Sequence, residues 1–419
     1  MKILIVTRRF FPHGDATSSV VFNIAEALLR RGAEVHVAAV TCFEEDSQIK
    51  EWQGIVVKNI YRKYTKPFFE FIKYCRQKPL CYGEYLFSFG INQVIKKRMT
   101  PKYSCLKLDP ILADAYLSFF DREIAVENYD LCLVTIMPHE AVWAAMKSNA
   151  KLKYAILQLD TYWNNELFSK RRAKDRLAFE KRMVEFSAFT LTTPIIFREN
   201  VKLFPQLREK LIPIEFPMIR RPAAGEETGK KRPGLHCVFL GTLYSKLRPP
   251  ERVVHFISKI DDQDIVFDFY GFRQDLVSAS PDYQAAAQRI VLHGSVSSLA
   301  AEDARRNADV LVNIDNTCLL QVPSKIFEYF STGKPIINFY FDENSPTLAY
   351  FKDYPLSLNV NVNTMRDDEI PRLMTLFREQ SCHRRLSFDE IKRIYRRCTP
   401  EYVVDQIMAA YEETEKENE

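Results

Sequence analysis

Pro323-Ser324-Lys325-Ile326-Phe327-Glu328-Tyr329-Phe330-Ser331-Thr332-Gly333-Lys334-Pro335-Ile336-Ile337 decides how this chain is read. Ile326, Phe327 and Phe330 fall on one face of a helix. Gly333 ends that helix in the left-handed conformation that costs a glycine nothing in sterics. Pro335 blocks continuation, and Ile336-Ile337 opens the kind of apolar run that a buried parallel strand requires. The segment is therefore helix, tight turn, strand. Glu328 lies mid-helix on the side away from Phe330. A carboxylate there can accept two hydrogen bonds from a vicinal diol such as a ribose. A solvated glutamate on an ordinary helix fits the local pattern as well.

Upstream, the same alternation repeats. Ile3 to Val6 is a short β-branched run, and the loop Arg8 to Ser18 carries His13 and Gly14. The spacing of Val20, Ile24, Ala27 and Leu28 predicts a helix over 19–31. Gly32 stops it, and Val35 to Val40 is the next strand, which completes a βαβ unit. The loop lacks GxGxxG. Gly14 permits a close backbone approach, and Thr17 or Ser18 as the helix cap leaves free N–H groups that suit a phosphate; an ordinary turn fits too. Leu131 to Ile136 is a strand, followed by His139 and a helix over 141–148. An unperturbed histidine pKa of about 6.5 suits proton handling. A strand over 153–159 ends at Asp160-Thr161-Tyr162-Trp163, and helices over 172–186 and 194–203 flank a strand over 189–192.

From Pro213 the composition changes. Pro213, Pro217, Pro222, Gly225, Gly229, Pro233 and Gly234 punctuate a polar stretch that reads as a linker. The α/β pattern restarts with a strand over 236–240, then Gly241-Thr242-Leu243-Tyr244-Ser245-Lys246-Leu247-Arg248-Pro249-Pro250 and a helix from Glu251. A glycine turn with Lys246 and Arg248 just before a helix suits a pyrophosphate; two solvated basic side chains are the plainer alternative. Strands over 265–270, 290–292 and 310–314 follow, and the chain closes with a helix over 400–412.

The 419 residues are long for one domain and natural for two. A net charge of +5 does not imply nucleic acid. Nine scattered cysteines, with no CxxC pair, point to a reducing compartment and away from structural zinc. No apolar run is long enough for a signal peptide or a spanning helix, so a cytoplasmic protein is expected. Residues 58–107 stand apart: twelve Lys and Arg against Glu70 and Glu84 give a local charge of +10, with Phe and Tyr interleaved. That mixture suits an anionic membrane surface, single-stranded nucleic acid, or a helical subdomain with an aromatic core.

The segment at 323–337 resembles the "PSK-x-x-E-Y-x-x-x-G-K-P-(I/V)-I" motif of GT-B glycosyltransferases, family 4 above all. The resemblance implies an α/β GT-B fold: two doubly wound Rossmann-like domains facing each other across a cleft. Residues 1–212 form the acceptor-side domain with 58–107 inserted, 213–234 the linker, 235–398 the nucleotide-sugar domain, and 399–419 a helix returning to the first. It implies transfer of a sugar from a UDP- or GDP-sugar to a saccharide or lipid-linked saccharide, with retention of configuration, in cell-surface polysaccharide synthesis. The protein would work on the inner face of the plasma membrane, without metal or other cofactor and without nucleic acid.

By the same resemblance Glu328 binds the donor ribose. Gly14, Gly241, Lys246, Arg248, Ser324 and Lys325 line the donor side, Arg248 and His139 are catalytic, and His13, His139 and Asp160 face the acceptor. Two positions depart from the family pattern. Leu320 stands where many members carry a second glutamate that touches the sugar. Thr242 stands where they carry an arginine of the "G-R-x-x-x-x-K-G" segment, and Arg248 takes the role of its lysine. A nucleotide-sugar 2-epimerase and a non-catalytic scaffold on the same fold are the rival readings.

Overall fold

Leu131–Thr135 and Val310–Ile314 are buried along their whole length, as strands covered on both faces must be. Each lies inside a separate, largely parallel sheet. The computed structural model describes residues 1–11, 14–41, 48–61, 90, 93–94, 97–98, 108–164, 172–222 and 233–416. Two units result, Met1–Pro217 with Pro400–Glu419, and Met218–Thr399.

In the first unit β1 (Lys2–Thr7), β2 (Glu34–Thr41), β3 (Glu51–Trp52), β4 (Ile55–Tyr61), β5 (Leu131–Thr135), β6 (Tyr154–Gln158), β7 (Phe189–Thr192) and β8 (Leu211–Pro213) form one sheet. Their order is β3-β4-β2-β1-β5-β6-β7-β8. β3 pairs antiparallel with β4, and the other neighbours are parallel. The helices are α1 (Ala16–Arg30), α2 (Pro110–Val126), α3 (His139–Ala145), α4 (Ala173–Phe186) and α5 (Pro194–Leu203). The chain winds outward from β1 through β2 and β4, then returns to place β5 on the other side of β1. Such a reversal opens a crevice at the carboxyl ends of the two central strands, here Thr7 and Thr135.

α1 starts earlier than its apolar spacing suggests, because Asp15 caps it rather than Thr17 or Ser18. The Asp15 carboxylate accepts from Ser18 N at 3.0 Å, and Ser18 Oγ accepts from Asp15 N at 2.9 Å, a reciprocal capping box. The close approach at Gly14 is to this same serine: a Cβ there would lie 2.8 Å from Ser18 Cβ. A carboxylate already occupies the helix start, which corrects the expectation of N–H groups left open for a phosphate.

In the second unit β9 (Leu235–Leu240), β10 (Ile265–Tyr270), β11 (Ile290–Gly294), β12 (Val310–Ile314), β13 (Ile336–Tyr340) and β14 (Ser357–Asn361) form a parallel sheet. The order β11-β10-β9-β12-β13-β14 puts the reversal between β9 and β12. Polar residues inside it satisfy one another across the strands. Asn313 donates to Asn338 at 2.7 Å, and Asn338 to Asn359 at 2.9 Å. These three are register partners, and a one-residue slip would leave the buried amides of Asn313 and Asn338 without them. The helices of five or more residues are α6 (Glu251–Ser258), α7 (Ser298–Asn307), α8 (Lys325–Ser331), α9 (Thr347–Phe351), α10 (Ile370–Ser381) and α11 (Phe388–Ile394).

α8 is the predicted helix of the central motif. Ile326, Phe327 and Phe330 are fully buried, each stabilising the fold by about 1.5–3 kcal/mol. Gly333 has φ +67°, and a Cβ there would come within 2.0 Å of Leu386 O, so the turn requires glycine on two grounds.

The last helix, α12 (Pro400–Lys416), belongs to the first unit. It lies against α1, with Arg30 paired to Glu401 at 3.3 Å and Arg31 to Asp405. The stretch 58–107 lies outside the described residues except at positions 58–61, 90, 93–94 and 97–98. Its first member, Lys58, sits in β4 with its ammonium 3.0 Å from Glu127 and 3.6 Å from Glu123. Among the described residues, no helix is long and apolar enough to cross a membrane.

Candidate functional site

At the reversal of the second sheet, α8 is pinned to the end of β9. The Tyr329 hydroxyl lies 3.2 Å from both Leu240 N and Leu240 O, accepting from one and donating to the other. That bond fixes the neighbouring Glu328, whose side chain is 25% exposed. Arg305 Nη1 of α7 donates to Glu328 Oε2 at 3.0 Å, and Lys325 Nζ lies 3.5 Å from the same oxygen. Burial works against the charge of Arg305, but Glu328 and Glu302 outweigh it and raise its pKa. Glu328 is thus a held, half-buried carboxylate rather than a solvated one.

Arg248 is the second element. The loop after β9 folds back on itself, with Arg248 N donating to Tyr244 O at 3.0 Å and Tyr244 N to Arg248 O at 3.3 Å. The guanidinium therefore returns to the turn it left. Its Nη1 donates to Thr242 O at 3.2 Å, and its Nη2 to Asn316 Oδ1 at 2.8 Å. Nε is buried without a hydrogen-bond partner. No carboxylate is within ion-pairing distance of Arg248 among the described residues. The nearby Asp315 accepts instead from Thr347 Oγ1 at 2.7 Å, Asn316 N at 2.8 Å and the Ser345 hydroxyl. Burial lowers the Arg248 pKa, with the Asp315 charge opposing it, while burial raises that of Asp315. A half-buried guanidinium whose hydrogen bonds go only to neutral oxygens, with no carboxylate paired to it, keeps donor capacity for an anion. Its planar donors suit an oxyanion.

The other predicted residues of this unit differ in character. At Gly241 a Cβ would lie 3.2 Å from Phe239 Cζ and in ordinary contact, 3.6 Å, with Arg248 Nη1. Lys246 is exposed, and its backbone oxygen accepts from Thr317 Oγ1 at 2.9 Å. Ser324 sits at the start of α8 without capping it, and the Lys325 side chain is exposed. Lys334 of the central motif is structural: buried, it donates to Ala308 O at 2.6 Å and to Arg306 O at the end of α7. Asp262 and Asp264, at Asp-x-Asp spacing, are both engaged by Arg378. Among the described residues, no group of three or more His, Cys, Asp or Glu could hold a metal ion. Sequence reasoning missed Arg305 and Asn316. Arg305 looks like any charge on a solvated helix, and nothing local ties it to a glutamate 23 residues on.

In the first unit, His139 opens α3 and is 6% exposed. Its ring lies on Tyr162, centroids 3.4 Å apart. Burial is the main cause that lowers its pKa, to about 3. The expectation of a histidine titrating near neutrality is corrected: burial holds the imidazole neutral. Asp160, two residues past β6, makes no hydrogen bond or ion pair among the described residues, and burial raises its pKa. Gly14 precedes the α1 cap, and His13 lies outside the described residues.

No protein-family model matches the sequence, and no curated protein matches it. Solved structures do match over the whole chain. Sucrose-phosphate synthase from Thermosynechococcus elongatus is 12% identical with a TM-score of 0.64, covering 98% of each chain. A mutant of TarM from S. aureus, in complex with Fondaparinux, alpha-GlcNAc-glycerol and UDP, is 9% identical with a TM-score of 0.60, over 98% of this chain and 99% of that one. The catalytic domain of starch synthase IV from Arabidopsis thaliana, bound to ADP and acarbose, is 10% identical with a TM-score of 0.56, over 99% of each. These are GT-B glycosyltransferases, and this chain shares their fold.

Proposed function

We propose that this protein is a glycosyltransferase, moving a sugar from a nucleotide-sugar to a saccharide or lipid-linked saccharide acceptor. One observation carries the reading: Arg248, half-buried at the Gly241 turn, hydrogen-bonds only neutral oxygens and pairs with no carboxylate among the described residues. Breaking a sugar–phosphate bond puts charge on the leaving diphosphate. A fixed cation in a partly desolvated site stabilises that charge as it develops. Arg248 supplies it, Lys246 adds a second cation from solvent, and the Gly241 turn lets the phosphate approach. Ser324 and Lys325 complete the donor side. Both cations on Glu328 fall on Oε2, which leaves Oε1 for a ribose hydroxyl.

Asp160 and His139 serve the acceptor side, His139 as a neutral imidazole. We read the donor as a UDP- or GDP-sugar, the reaction as retaining and cofactor-free, and the setting as polysaccharide synthesis. The +10 charge of residues 58–107 docks the protein on the anionic inner face of the plasma membrane. The complexes of fold neighbours with UDP and with ADP support a nucleotide at this site. Thermal unfolding with UDP, GDP, ADP, their nucleosides and their sugars tests the reading, because a ligand that prefers the folded state raises the midpoint. Diphosphates should stabilise and nucleosides should not. A panel in which no diphosphate acts would remove the transferase reading.

A further inference from the structure

In the first unit the turn after β6 is gripped from beneath by α4. Glu180 Oε1 accepts from Trp163 N at 3.4 Å and from Tyr162 N. One turn earlier on the same helix, Arg176 Nε donates to Tyr162 O at 3.0 Å, and Nη2 to Trp163 O at 3.3 Å. Both peptide groups of the turn are therefore clamped, amides by the acid and carbonyls by the base. Glu180 is fully buried and Arg176 nearly so. Tyr162, thus fixed, carries the ring of His139 on its face and the ring of Phe179 against its edge. Asp160 leads into the same turn. A structural clamp could be built from neutral groups, and a buried carboxylate is a costly way to hold two amides.

We propose that Glu180, with Arg176, is the positioning residue of the first unit, setting Tyr162, His139 and Asp160 for acceptor use through the charge on its carboxylate. This inference rests on the transferase reading given above. Oε2 of Glu180 has no hydrogen-bond partner among the described residues. A proton taken up there finds no acceptor and weakens Oε1 as an acceptor for both amides, because bonds to a charged oxygen are the stronger ones. Burial first of all, opposed by the two amides and by Arg176, puts the Glu180 pKa at about 7. Arg176 is the charged group that acts on it. Tyr162, Asp160 and His139 are the titratable groups of the neighbouring turn and helix. The grip is thus strong above neutrality and weak below it.

Trp163 reports the grip directly. In the full chain with Trp52→Phe and Trp143→Phe, Trp163 is the sole indole, and its emission is followed across neutral pH. We expect one transition with a midpoint at about pH 7. Glu180→Gln should abolish it and leave, on the alkaline side, the spectrum of the acidic form. Arg176→Gln should move the midpoint upward, because the arginine charge holds the pKa down; this variant decides the matter if Glu180→Gln does not fold. Turnover is read as diphosphate release from whichever of UDP-glucose, UDP-N-acetylglucosamine and GDP-mannose stabilises the protein. It should lose its acid limb in Glu180→Gln and fall about tenfold on the alkaline side, the difference between a charged and a neutral acceptor, with UDP affinity by calorimetry close to that of the parent. A transition that persists unchanged in Glu180→Gln, or an unmoved midpoint in Arg176→Gln, overturns the proposal. If no nucleotide binds yet the transition follows Glu180, the clamp stands and the transferase reading falls. If UDP binds and the transition ignores Glu180, the clamp falls and the transferase reading stands.

Discussion

Replacing Arg248 by alanine separates a phosphate-binding arginine from a merely well-packed one. In the free protein the guanidinium makes two hydrogen bonds, to Thr242 O and Asn316 Oδ1, both neutral acceptors. A bound diphosphate would add bonds to a charged oxygen, each contributing about 1.5–3 kcal/mol. One such bond lost on substitution corresponds to a weakening of about 10–150-fold, at 1.4 kcal/mol per decade. Two opposite charges 4 Å apart interact by about 4 kcal/mol at an effective dielectric constant of 20, which sets the ceiling. A nucleoside presents no phosphate, so its affinity should change by less than about 0.5 kcal/mol, the usual range for a substitution that touches no ligand. Calorimetry with UDP and uridine, and with GDP and guanosine, makes the comparison. Arg248→Lys should fall between parent and alanine, since it keeps the charge and loses the fork. Equal losses for diphosphate and nucleoside, or no loss for either, would refute the reasoning.

Glu328→Ala should weaken a ribonucleoside diphosphate by about 10–150-fold, the loss of one hydrogen bond to a charged group. It should also erase the preference for UDP over its 2′-deoxy analogue; an unchanged preference removes Glu328 from the ribose. Gly32→Ala, at φ +80° in open space, should cost about 1 kcal/mol in denaturant unfolding. Gly333→Ala, which adds the overlap with Leu386 O, should cost at least two to three times as much. For pH, Glu180 is raised from 4.5 to about 7. The native state then holds the proton longer than the unfolded chain, and stability falls as pH rises between those values, by up to about 3 kcal/mol. His139, lowered from 6.5 to about 3, acts oppositely, so stability rises with pH across its window. Glu180→Gln should remove the first slope and unmask the second in urea unfolding between pH 4.5 and 6.5, the span the two windows share.

Short apolar runs such as Phe189–Thr192, Ile265–Tyr270 and Val310–Ile314 were legible residue for residue, because strands covered on both faces are rich in β-branched and aromatic residues. So was α8, whose apolar face and glycine stop are both local signals. Helix starts were less legible: α1 depends on Asp15 answering Ser18, and Asp15 lies before the first apolar position. The proposed site was readable in sequence at Glu328 and Arg248, where a turn draws attention to them. It was not legible at Arg305, Asn316, Arg176 or Glu180. Each of these acts on a partner 13 to 68 residues away, and its role exists only once the sheets are assembled. His139 lies after β5 as the sequence suggests, while its neutral state follows from burial, which exists only once the sheet is assembled.

Thr242 and Leu320 depart from the pattern of the resembled family, and the departure at Thr242 is answered in space. The family places an arginine immediately after the glycine of this turn. Here the Tyr244–Arg248 bridge folds the loop back, and the guanidinium of Arg248 hydrogen-bonds the carbonyl of Thr242 itself. A cation therefore stands at the turn although position 242 carries none; it is Arg248, the residue read above as filling the lysine's role. A half-buried charge that pairs with no carboxylate is a cost that a scaffold without a ligand has no use for. Arg248→Met tests this without opening a cavity. Were the arginine structural, its loss should destabilise the free protein by about 1–3 kcal/mol for each of the two acceptors left unsatisfied, Thr242 O and Asn316 Oδ1. As a ligand-binding cation, its loss should leave the free protein within about 1 kcal/mol of the parent, the desolvation relieved offsetting the two bonds to neutral oxygens. The stabilisation by UDP or GDP should disappear at the same time. A free protein that melts far earlier while still gaining stability from the diphosphate would return Arg248 to the core and reopen the scaffold reading.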